Sequence, residues 1–490
     1  MNNFKYFCPI DMNPLIIIGL VIIYFLFLVL ISWYTGRNAN NDTFFIGNRK
    51  SPWFLVAFGM IGASLSGVTF ISIPGWVGIS QFSYMQMVLG YLLGYLFIAN
   101  ILMPVYYKLQ LTSIYTYLEQ RFGFWSYKTG ASIFLVSRFM GASLRLYLSA
   151  SVLQLVLFDK LGMPFWGTTL IIILFIWLFT FKGGIKTVVW TDTIQTTFML
   201  ASLVMCVYFI SQKLNMSFGQ IVHTLRESEY SRMFFFDDWS DRRHFFKQFV
   251  SGALITIVMT GMDQDLMQKN LSCKNIKDAR KNMYWFSLTL IPVNFLFLTL
   301  GALLYIFVHQ TGFTMPEHSD QLLPLIATQS FMPSAFLAIF VIGLVSSTYS
   351  SADSALTSLT TSFTIDILSI KNKTDKQITL IRQTVHIAFA LILALLILFF
   401  NAVNNKSVVD AVFTMASYTY GPLLGMFVFG LFTRWQIRDG WAPVIGIMAP
   451  LLSLVINLIL IRIFKFELGY LVLALNGILT FTGLLLVRKK

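Results

Sequence analysis

A carboxylate and a row of hydroxyls occur in two apolar segments of this chain. Asp192 lies in residues 183–200, GGIKTVVWTDTIQTTFML. A carboxylate at membrane depth is costly enough that it usually faces a cavity, a partner charge or an ion. A second apolar segment, 341–367, carries serines at the i, i+3, i+4, i+7 spacing of one helix face: Ser347, Ser350, Ser351 and Ser354. Carboxylate and hydroxyl oxygens suit a small hard cation, so the two segments predict a sodium site.

Two arginines also fall inside an apolar segment. Arg138 and Arg145 are seven residues apart and share one face of a predicted helix. Guanidinium groups in a membrane helix need partners. The partners are either Asp353 or Asp192, in a structural ion pair, or the carboxylate of a solute, in a bidentate clamp. Both alternatives stay open from the sequence.

The elements that position these groups are membrane helices. The 490 residues are 57% hydrophobic and 11% charged, with a mean hydropathy of +0.72. A soluble domain carries about 25% charged residues, so the composition indicates an all-α integral membrane protein. Apolar stretches of roughly 20 residues mark transmembrane helices. About 13 are predicted, over residues 13–33, 53–77, 84–107, 130–157, 163–181, 187–212, 248–267, 282–308, 332–368, 380–401, 407–432, 441–461 and 468–487.

The net charge of +14 is explained by topology. Most of the 35 Lys and Arg fall in alternate loops, which the positive-inside rule assigns to the cytoplasm. The N-terminus is therefore predicted outside and the C-terminus inside a cell membrane, such as a bacterial inner membrane. We expect a functional monomer in the lipid bilayer and no nucleic-acid partner.

Enzyme chemistry is not predicted. The chain contains no Ser-His-Asp order, HExxH motif or glycine-rich phosphate loop. Cys8, Cys206 and Cys273 are widely spaced without a metal-ligand pattern, so inert thiols are expected.

Two predicted helices contain residues that interrupt helices. The second packs glycines, serines and a proline into one crossing: Gly59, Gly62, Ser64, Ser66, Gly67 and Pro74. The seventh contains Gly252 and Gly261 and ends in two carboxylates. Such segments in matching positions of two halves predict broken helices and an inverted repeat, with the binding site at the breaks. The alternative is that the glycines only allow close helix packing.

Six motifs in order resemble the sodium:solute symporter family, which includes sodium-coupled sugar, proline and sialic acid transporters. They are GVTFISIPG (67–75), TSIYTYLEQRFG (112–123), GGIKTVVWTDTIQ (183–195), DQDLMQKNLSCKNIKDARK (263–281), SSADSALTSLTTSFTIDI (350–367) and YGPLLGMFVFGLF (420–432). The resemblance implies inward sodium symport by alternating access and a five-plus-five inverted repeat with one extra N-terminal and two extra C-terminal helices. The expected parts of this single transporter domain, 1–490, are an extra helix over 13–33, repeats over 53–212 and 248–432, and C-terminal helices over 441–487.

The resemblance also implies the cation ligands, one or two sodium ions and no organic cofactor. By similarity, sodium site one falls on Gly62, Leu65, Ser347, Ser350 and Ser351. Sodium site two, present in some members, falls on Asp192, Ser350, Asp353 and Ser354. Asp353 stands where a hydroxyl residue is expected. It either binds sodium more tightly, carries a proton, or pairs with Arg138 or Arg145.

The alternative for each of these groups is a purely structural role. Serine in a membrane helix usually bonds back to a carbonyl of its own helix, and Asp192 is equally consistent with a capping or interhelical role. Asp263, Asp265 and Lys269 are expected as solvated charges at the cytoplasmic end of the seventh helix, and Asp366 likewise near a helix end.

The solute cavity of the family lies between the breaks and the fourth and ninth helices. By similarity its residues here are Ser66, Gly67, Thr69, Gln86, Arg138 and Arg145. Met259 and Thr260 stand where some members carry stacking aromatics, which argues against a neutral hexose. The arginines favour a sugar acid such as sialic acid, although the arginine of sialic acid members aligns near Gly141.

Other functions remain as alternatives. The chain is also consistent with a symporter of an amino acid or another carboxylate, or with a non-transporting sensor of the same fold. Sensors of that kind carry an appended signalling domain, whereas this sequence ends three residues after its last predicted helix. A channel is disfavoured by the broken-helix pattern.

Overall fold

The regular structure of the chain is helical. The computed structural model describes residues 14–37, 39–181, 184–329, 331–370, 373–403 and 407–489. Within these ranges the only β pairing is two isolated bridges, Ser51 with Cys273 and Ile437 with Arg488. The principal helices are α1 (Pro14–Gly36), α2 (Trp53–Leu65), α3 (Gly67–Ser80), α4 (Tyr84–Phe97), α5 (Phe124–Leu153), α6 (Phe165–Thr180), α7 (Gly184–Lys213), α8 (Phe245–Thr256), α9 (Gln264–Leu271), α10 (Ile276–Thr311), α11 (Ser334–Ser362), α12 (Asp375–Val403), α13 (Val408–Thr419), α14 (Gly421–Phe432), α15 (Ala442–Phe464) and α16 (Val472–Leu486). The predicted all-α membrane class is confirmed.

The number of membrane crossings stays a prediction. The described ranges contain nine continuous helical segments long and apolar enough to cross a membrane, or eleven if each of two bent pairs is one crossing. The helices α2 and α6 are apolar but shorter. The segment 67–108 runs through α3 and α4 without a long interruption. Length and composition alone therefore do not reproduce the count of thirteen.

The second predicted helix is broken at Ser66. The α2 helix ends at Leu65, Ser66 has φ 10° and ψ 174°, and α3 begins at Gly67. A Cβ added at Gly67 would collide with the hydroxyls of Ser149 and Thr348. The glycine after the break therefore allows α3 to approach α5 and α11.

The seventh predicted helix is broken as well. After α8 the chain makes a π-helical turn over Ile257–Gly261, and α9 then departs at 63°. Asp263 caps α9, because its side chain accepts a hydrogen bond from the backbone N–H of Asp265. A third bend, of 46°, separates α13 from α14. This bend was not predicted, although Gly421 and Pro422 at the start of α14 are residues of the kind that interrupt helices.

The site lies where α2, α7, α9 and α11 pack together. Two glycines of α2 allow the close approach. A Cβ at Gly59 would lie 2.9 Å from the Cβ of Asp192, and one at Gly62 would lie 3.1 Å from the Oγ of Ser350. Glycines of the second helix thus serve close packing, and the same helix is broken, so the two interpretations of its composition hold together.

Candidate functional site

Asp192 is buried and has a partner charge. The Lys269 ammonium forms an ion pair with its Oδ2 atom, and Ser350 donates a hydrogen bond of 2.6 Å to its Oδ1 atom. The side chains of Lys269 and Asp192 are 1% and 0% exposed. Both oxygens of the carboxylate are therefore engaged by groups from two other helices.

The expectation of solvated charges at the end of the seventh helix is wrong. Asp263, Asp265 and Lys269 are all buried, as is the rest of α9. The reason is the 63° bend before α9, which directs this helix across the interior of the protein. Asp366 is buried too, and it accepts hydrogen bonds from Ser113, Ser362 and Tyr127.

The two arginines have different surroundings. Arg138 forms an ion pair with Asp265 and lies 4.0 Å from Asp263, so the predicted pairing with Asp353 or Asp192 is wrong. Asp263 also accepts a hydrogen bond from the hydroxyl of Tyr420. Arg145 forms no ion pair with a carboxylate among the described residues. The sequence could not rank the two arginines, because the acidic partner of Arg138 lies 127 residues further along the chain.

The serine row of α11 is mostly satisfied within its own helix. Ser347 donates to the carbonyl of Leu344 (2.9 Å), Ser351 to that of Thr348 (3.0 Å) and Ser354 to that of Ser350 (3.0 Å). Ser350 alone bonds across to another helix, at Asp192. The back-bonding alternative thus holds for three of the four hydroxyls. Their oxygens still keep acceptor capacity, because a hydroxyl has two lone pairs.

The backbone ligands predicted for sodium site one lie in the last turn of α2. Gly62 and Leu65 bound the final four residues of the helix, whose carbonyls have no partner further along the same helix. The close contact between Gly62 and Ser350 brings this turn to the serine face of α11. The structure therefore brings the predicted α2 and α11 groups together.

Asp353 is buried and is bonded only by neutral groups. Its Oδ2 atom accepts from Thr191 at 3.4 Å, and its Oδ1 atom accepts from the backbone N–H of Ser354 at 2.5 Å. Among the described residues it forms no ion pair, so the predicted pairing with Arg138 or Arg145 is wrong. Two of the four residues of sodium site two, Asp192 and Asp353, therefore face the boundary between α7 and α11.

A cavity of about 80 Å³ lies between the two breaks. Four of the predicted solute residues line it: Ser66, Thr69, Arg138 and Arg145. Met259 and Thr260 line it as well. The volume is far below the ~300–1,000 Å³ of typical ligand pockets, so a solute of sugar size requires the surrounding helices to separate.

Gln86 and Gly67 lie outside the cavity lining. The Gln86 amide accepts from the backbone N–H of Phe235 (3.1 Å) and donates to the carbonyl of Arg243 (2.8 Å), so it fixes the segment between α7 and α8 onto α4. Gly67 packs closely against Ser149 and Thr348, on the side where any other residue would carry its Cβ atom. The amide of Gln86 is satisfied by backbone groups and has little hydrogen-bonding capacity left for a ligand. The predicted solute contacts of Gln86 and Gly67 are therefore not supported.

The aromatic side of the cavity was not predicted from the sequence. Tyr84, Tyr91 and Tyr95 of α4 and Phe413 of α13 all line it. The spacing of the three tyrosines, seven and four residues, places them on one helix face, and this was the available signal. Met259 and Thr260 do line the cavity, but the aromatic rings of α4 and α13 line it as well, so the argument against a neutral hexose stays a prediction.

Cys206 and Cys273 lie among the described residues, and both are buried free thiols. Cys273 lies between α9 and α10, where burial raises the pKa of its thiol to about 12. A thiol with so high a pKa carries almost no thiolate at neutral pH and is unreactive. Cys8 lies outside the described residues.

The whole fold is similar to that of a solved symporter. The structure of a Na⁺-coupled sialic acid symporter in a substrate-bound outward-open state matches with a TM-score of 0.81 and 19% identity, over 97% of this chain and 99% of that one. This likeness shows a shared fold.

Sequence comparison identifies relatives of the same kind. The sodium/sialic acid symporter NanT of Aliivibrio fischeri is 25% identical, over 82% of this chain and 80% of its own length. The human sodium/iodide cotransporter is 25% identical, over 81% of this chain and 62% of its own length. The profile of the sodium:solute symporter family matches residues 44–441. The chain therefore belongs to the sodium:solute symporter family, as a multi-pass membrane protein that couples transport of a small solute to sodium.

Proposed function

We propose that this chain imports a carboxylate-bearing, polyhydroxylated solute, such as a sugar acid, together with sodium by alternating access. The observation that carries the proposal is Arg145. This guanidinium lines the cavity between the breaks and has no carboxylate partner among the described residues. A guanidinium at membrane depth without a counter-charge is costly, and a solute carboxylate would supply that charge through a bidentate contact.

Unpaired acceptors in the same cavity support a solute with hydroxyl groups. The Oδ1 atoms of Asp265 and Asn294 are buried and accept no hydrogen bond, and both residues line the cavity. Hydroxyl or ammonium donors of a solute would satisfy them, whereas iodide or a simple monocarboxylate offers none. The tyrosines of α4 add rings for stacking against a sugar.

The relatives support the same class. A sodium/sialic acid symporter is among the most similar proteins, and the matching solved structure is of a sialic acid symporter. An amino acid is the second candidate, because Asp265 would accept from its ammonium while Arg145 binds its carboxylate. The pair of opposite charges in one cavity favours this candidate over a neutral sugar.

For sodium, the proposal keeps two sites. Site one comprises the last-turn carbonyls of α2 with the serines of α11, and site two comprises Asp192, Ser350, Asp353 and Ser354. Sodium is a hard cation that takes oxygen ligands, and a broken helix exposes the carbonyls that such a site needs. We further propose that the N-terminus lies outside a bacterial inner membrane and that the protein functions as a monomer. We propose that it transports its solute rather than catalysing a reaction, and that residues 53–212 and 248–432 form the two repeats.

Uptake into proteoliposomes tests the proposal. We expect solute accumulation driven by an inward sodium gradient and none in an equimolar potassium gradient. A thermal-shift screen in sodium, with sugar acids, neutral sugars, amino acids and iodide as separate arms, should select the sugar acids. Stabilisation by a neutral sugar that is unchanged in Arg145→Ala would refute the anion assignment. Uptake that is indifferent to sodium would refute the coupling.

A further inference from the structure

We propose that the segment between α7 and α8 is anchored in the headgroup region of the lipid bilayer by an aromatic cluster. The cluster comprises four side chains of this segment and of the first turn of α8: Phe234, Phe236, Trp239 and Phe246. Each of them is about half exposed, between 47% and 55%. This lipid contact is separate from the proposed solute and sodium sites, to which none of the four side chains belongs.

Three consecutive phenylalanines alternate between the two faces of the segment. Phe235 is 6% exposed, and its ring centroid lies 4.6 Å from the guanidinium carbon of Arg232 and 4.6 Å from that of Arg243. Phe234 and Phe236 are exposed instead, and their rings stack with centroids 6.3 Å apart. Such alternation is typical of an extended backbone, whose successive side chains point to opposite faces. The inner face therefore contacts the protein, and the outer face carries aromatic rings.

The inner face is fixed to the membrane helices by hydrogen bonds to its backbone. The side-chain oxygen of Gln86 on α4 accepts from the N–H of Phe235 at 3.1 Å. The N–H of Phe245, which begins α8, donates to the carbonyl of Phe235 at 2.7 Å. Gln248 donates to the carbonyl of Arg242 at 2.8 Å. These bonds hold the segment in one orientation, so the exposure of the aromatic rings is part of the folded structure.

Polar side chains of the segment lie along a cavity. Asp238, Asp241 and Arg242 line a cavity of about 760 Å³, together with Trp76 of α3 and Asp410 of α13. No member of the aromatic cluster lines this cavity. The segment is therefore amphipathic, with polar groups toward the cavity and aromatic rings away from it.

The aromatic cluster continues a surface of α8 that faces lipid. The ring centroids of Phe236 and Trp239 each lie 6.4 Å from that of Phe246. Phe246 and Val250 are one turn apart on α8, and both are exposed. Because α8 and α9 form a bent pair that is long and apolar enough to cross a membrane, the exposed face of α8 contacts lipid. The aromatic cluster extends this face past the start of the helix, to where headgroups lie.

A headgroup region suits the composition of this surface better than a protein partner does. Aromatic side chains collect at the boundary between membrane and water, where the ring is in apolar surroundings and an indole N–H reaches water. The segment also carries an ion pair between Arg232 and Asp237, whose side chains are 49% and 76% exposed. Charged residues are depleted in the cores of protein interfaces, whereas headgroups and their water accommodate them. The occupant is therefore lipid.

Spin labels at neighbouring positions test the anchor. The full chain carries Cys8→Ser and one of three changes: Phe236→Cys, Trp239→Cys or Asp237→Cys. The remaining native cysteines are buried free thiols, which the label does not reach. Each labelled protein is reconstituted into vesicles of phosphatidylethanolamine and phosphatidylglycerol. Electron paramagnetic resonance then measures the collision rate of the label with oxygen, which concentrates in the bilayer, and with a nickel chelate, which stays in water.

We expect the ratio of oxygen to nickel collision rates to be several-fold higher at positions 236 and 239 than at position 237. Asp237 is the matched control, because it adjoins Phe236 in the chain and its side chain is 76% exposed. The melting temperature of each labelled protein, compared with the wild type, shows that the fold is retained. Two aromatic positions keep the test usable if one of the variants does not fold.

Two results would overturn the inference. One is equal access of the nickel chelate to positions 236, 239 and 237, which would mean that the aromatic cluster faces water. The other is protection of positions 236 and 239 from both oxygen and the chelate, which would mean that a second copy of the chain covers them. Neither result touches the proposed function, which fails only if wild-type uptake is independent of sodium.

Discussion

At the scale of single residues, identical side chains differ by their partners. Arg138 and Arg145 share one face of α5, yet only Arg138 is neutralised, by Asp265 with Asp263 nearby. Sequence spacing predicted that both would face the same place, and both do line the cavity. The spacing could not predict which arginine lacks a carboxylate partner, because the position of Asp263 and Asp265 depends on the direction that α9 takes after the break.

Arg145→Ala should weaken solute binding strongly. A charge-assisted bidentate contact contributes about 1.5–3 kcal/mol, which corresponds to a loss of roughly 10- to 150-fold in affinity. Arg145→Lys keeps the charge but not the planar group that makes two parallel hydrogen bonds, so it should recover only part of the lost affinity. Calorimetric titration with the solute found in the thermal-shift screen measures the effect. Arg434→Ala, at an exposed arginine after α14, is the control. Equal affinity in Arg145→Ala and the control would remove Arg145 from the site.

Asp265→Ala should destabilise the protein, because it leaves the Arg138 guanidinium buried opposite a gap. Removing one partner of a buried pair costs about 3–5 kcal/mol, although Asp263 at 4.0 Å from Arg138 will offset part of that. The double variant Arg138→Met with Asp265→Leu should recover most of the melting temperature, since no charge is then unpaired. A double variant no more stable than Asp265→Ala would mean that the pair does not determine stability.

At the scale of elements, local signals predicted the breaks but not their consequences. Glycines and serines around Ser66 and Gly261 predicted two discontinuous helices, and both are broken. The charges that follow Gly261 were assigned to solvent, because a straight helix would carry them to the membrane surface. The bend before α9 instead carries Lys269 to Asp192. A bend angle depends on tertiary packing, so no pattern along the chain supplied it.

Gly252→Ala should separate α8 from α4. A methyl group at Gly252 would collide with the backbone of Met87, which cannot move aside as a side chain can. Overpacking of this kind costs about 1–3 kcal/mol and should lower both the melting temperature and the uptake rate. Gly141→Ala, in the middle of α5 with nothing within 4 Å of the added methyl, should instead be neutral or stabilising by up to about 1 kcal/mol. Equal melting temperatures for the two variants would contradict the packing argument.

At the scale of the whole molecule, the fold class and family followed from the sequence, whereas the long-range pairings did not. Apolar segments and six ordered motifs are properties of the chain itself, and the profile match over 44–441 agrees with them. The contacts between Asp192 and Lys269 and between Gln86 and the α7–α8 segment join residues 77 and 149 or more positions apart. Charge type alone did not select these partners from the many available.

The connection between α10 and α11 gives a pH dependence that can be tested. Asp320 lies outside the membrane helices, is buried, and accepts a hydrogen bond of 3.0 Å from the backbone N–H of Val408 at the start of α13. Burial raises the pKa of this carboxyl above its ordinary 3.8. The folded state therefore binds its proton more tightly than the unfolded state does.

The sign of the effect follows from that difference. Below pH 3.8 the carboxyl is protonated in both states, and stability falls as the pH rises from there through the raised pKa of the folded state. Asp320→Asn has no such proton and keeps an oxygen acceptor for Val408. The melting temperature of the wild type minus that of Asp320→Asn should thus decrease with rising pH in this window and become constant above it. Taking the difference between the two proteins cancels the titration of every other carboxylate. A difference that grows with pH would mean that the ionised carboxylate stabilises the start of α13 by more than its burial costs.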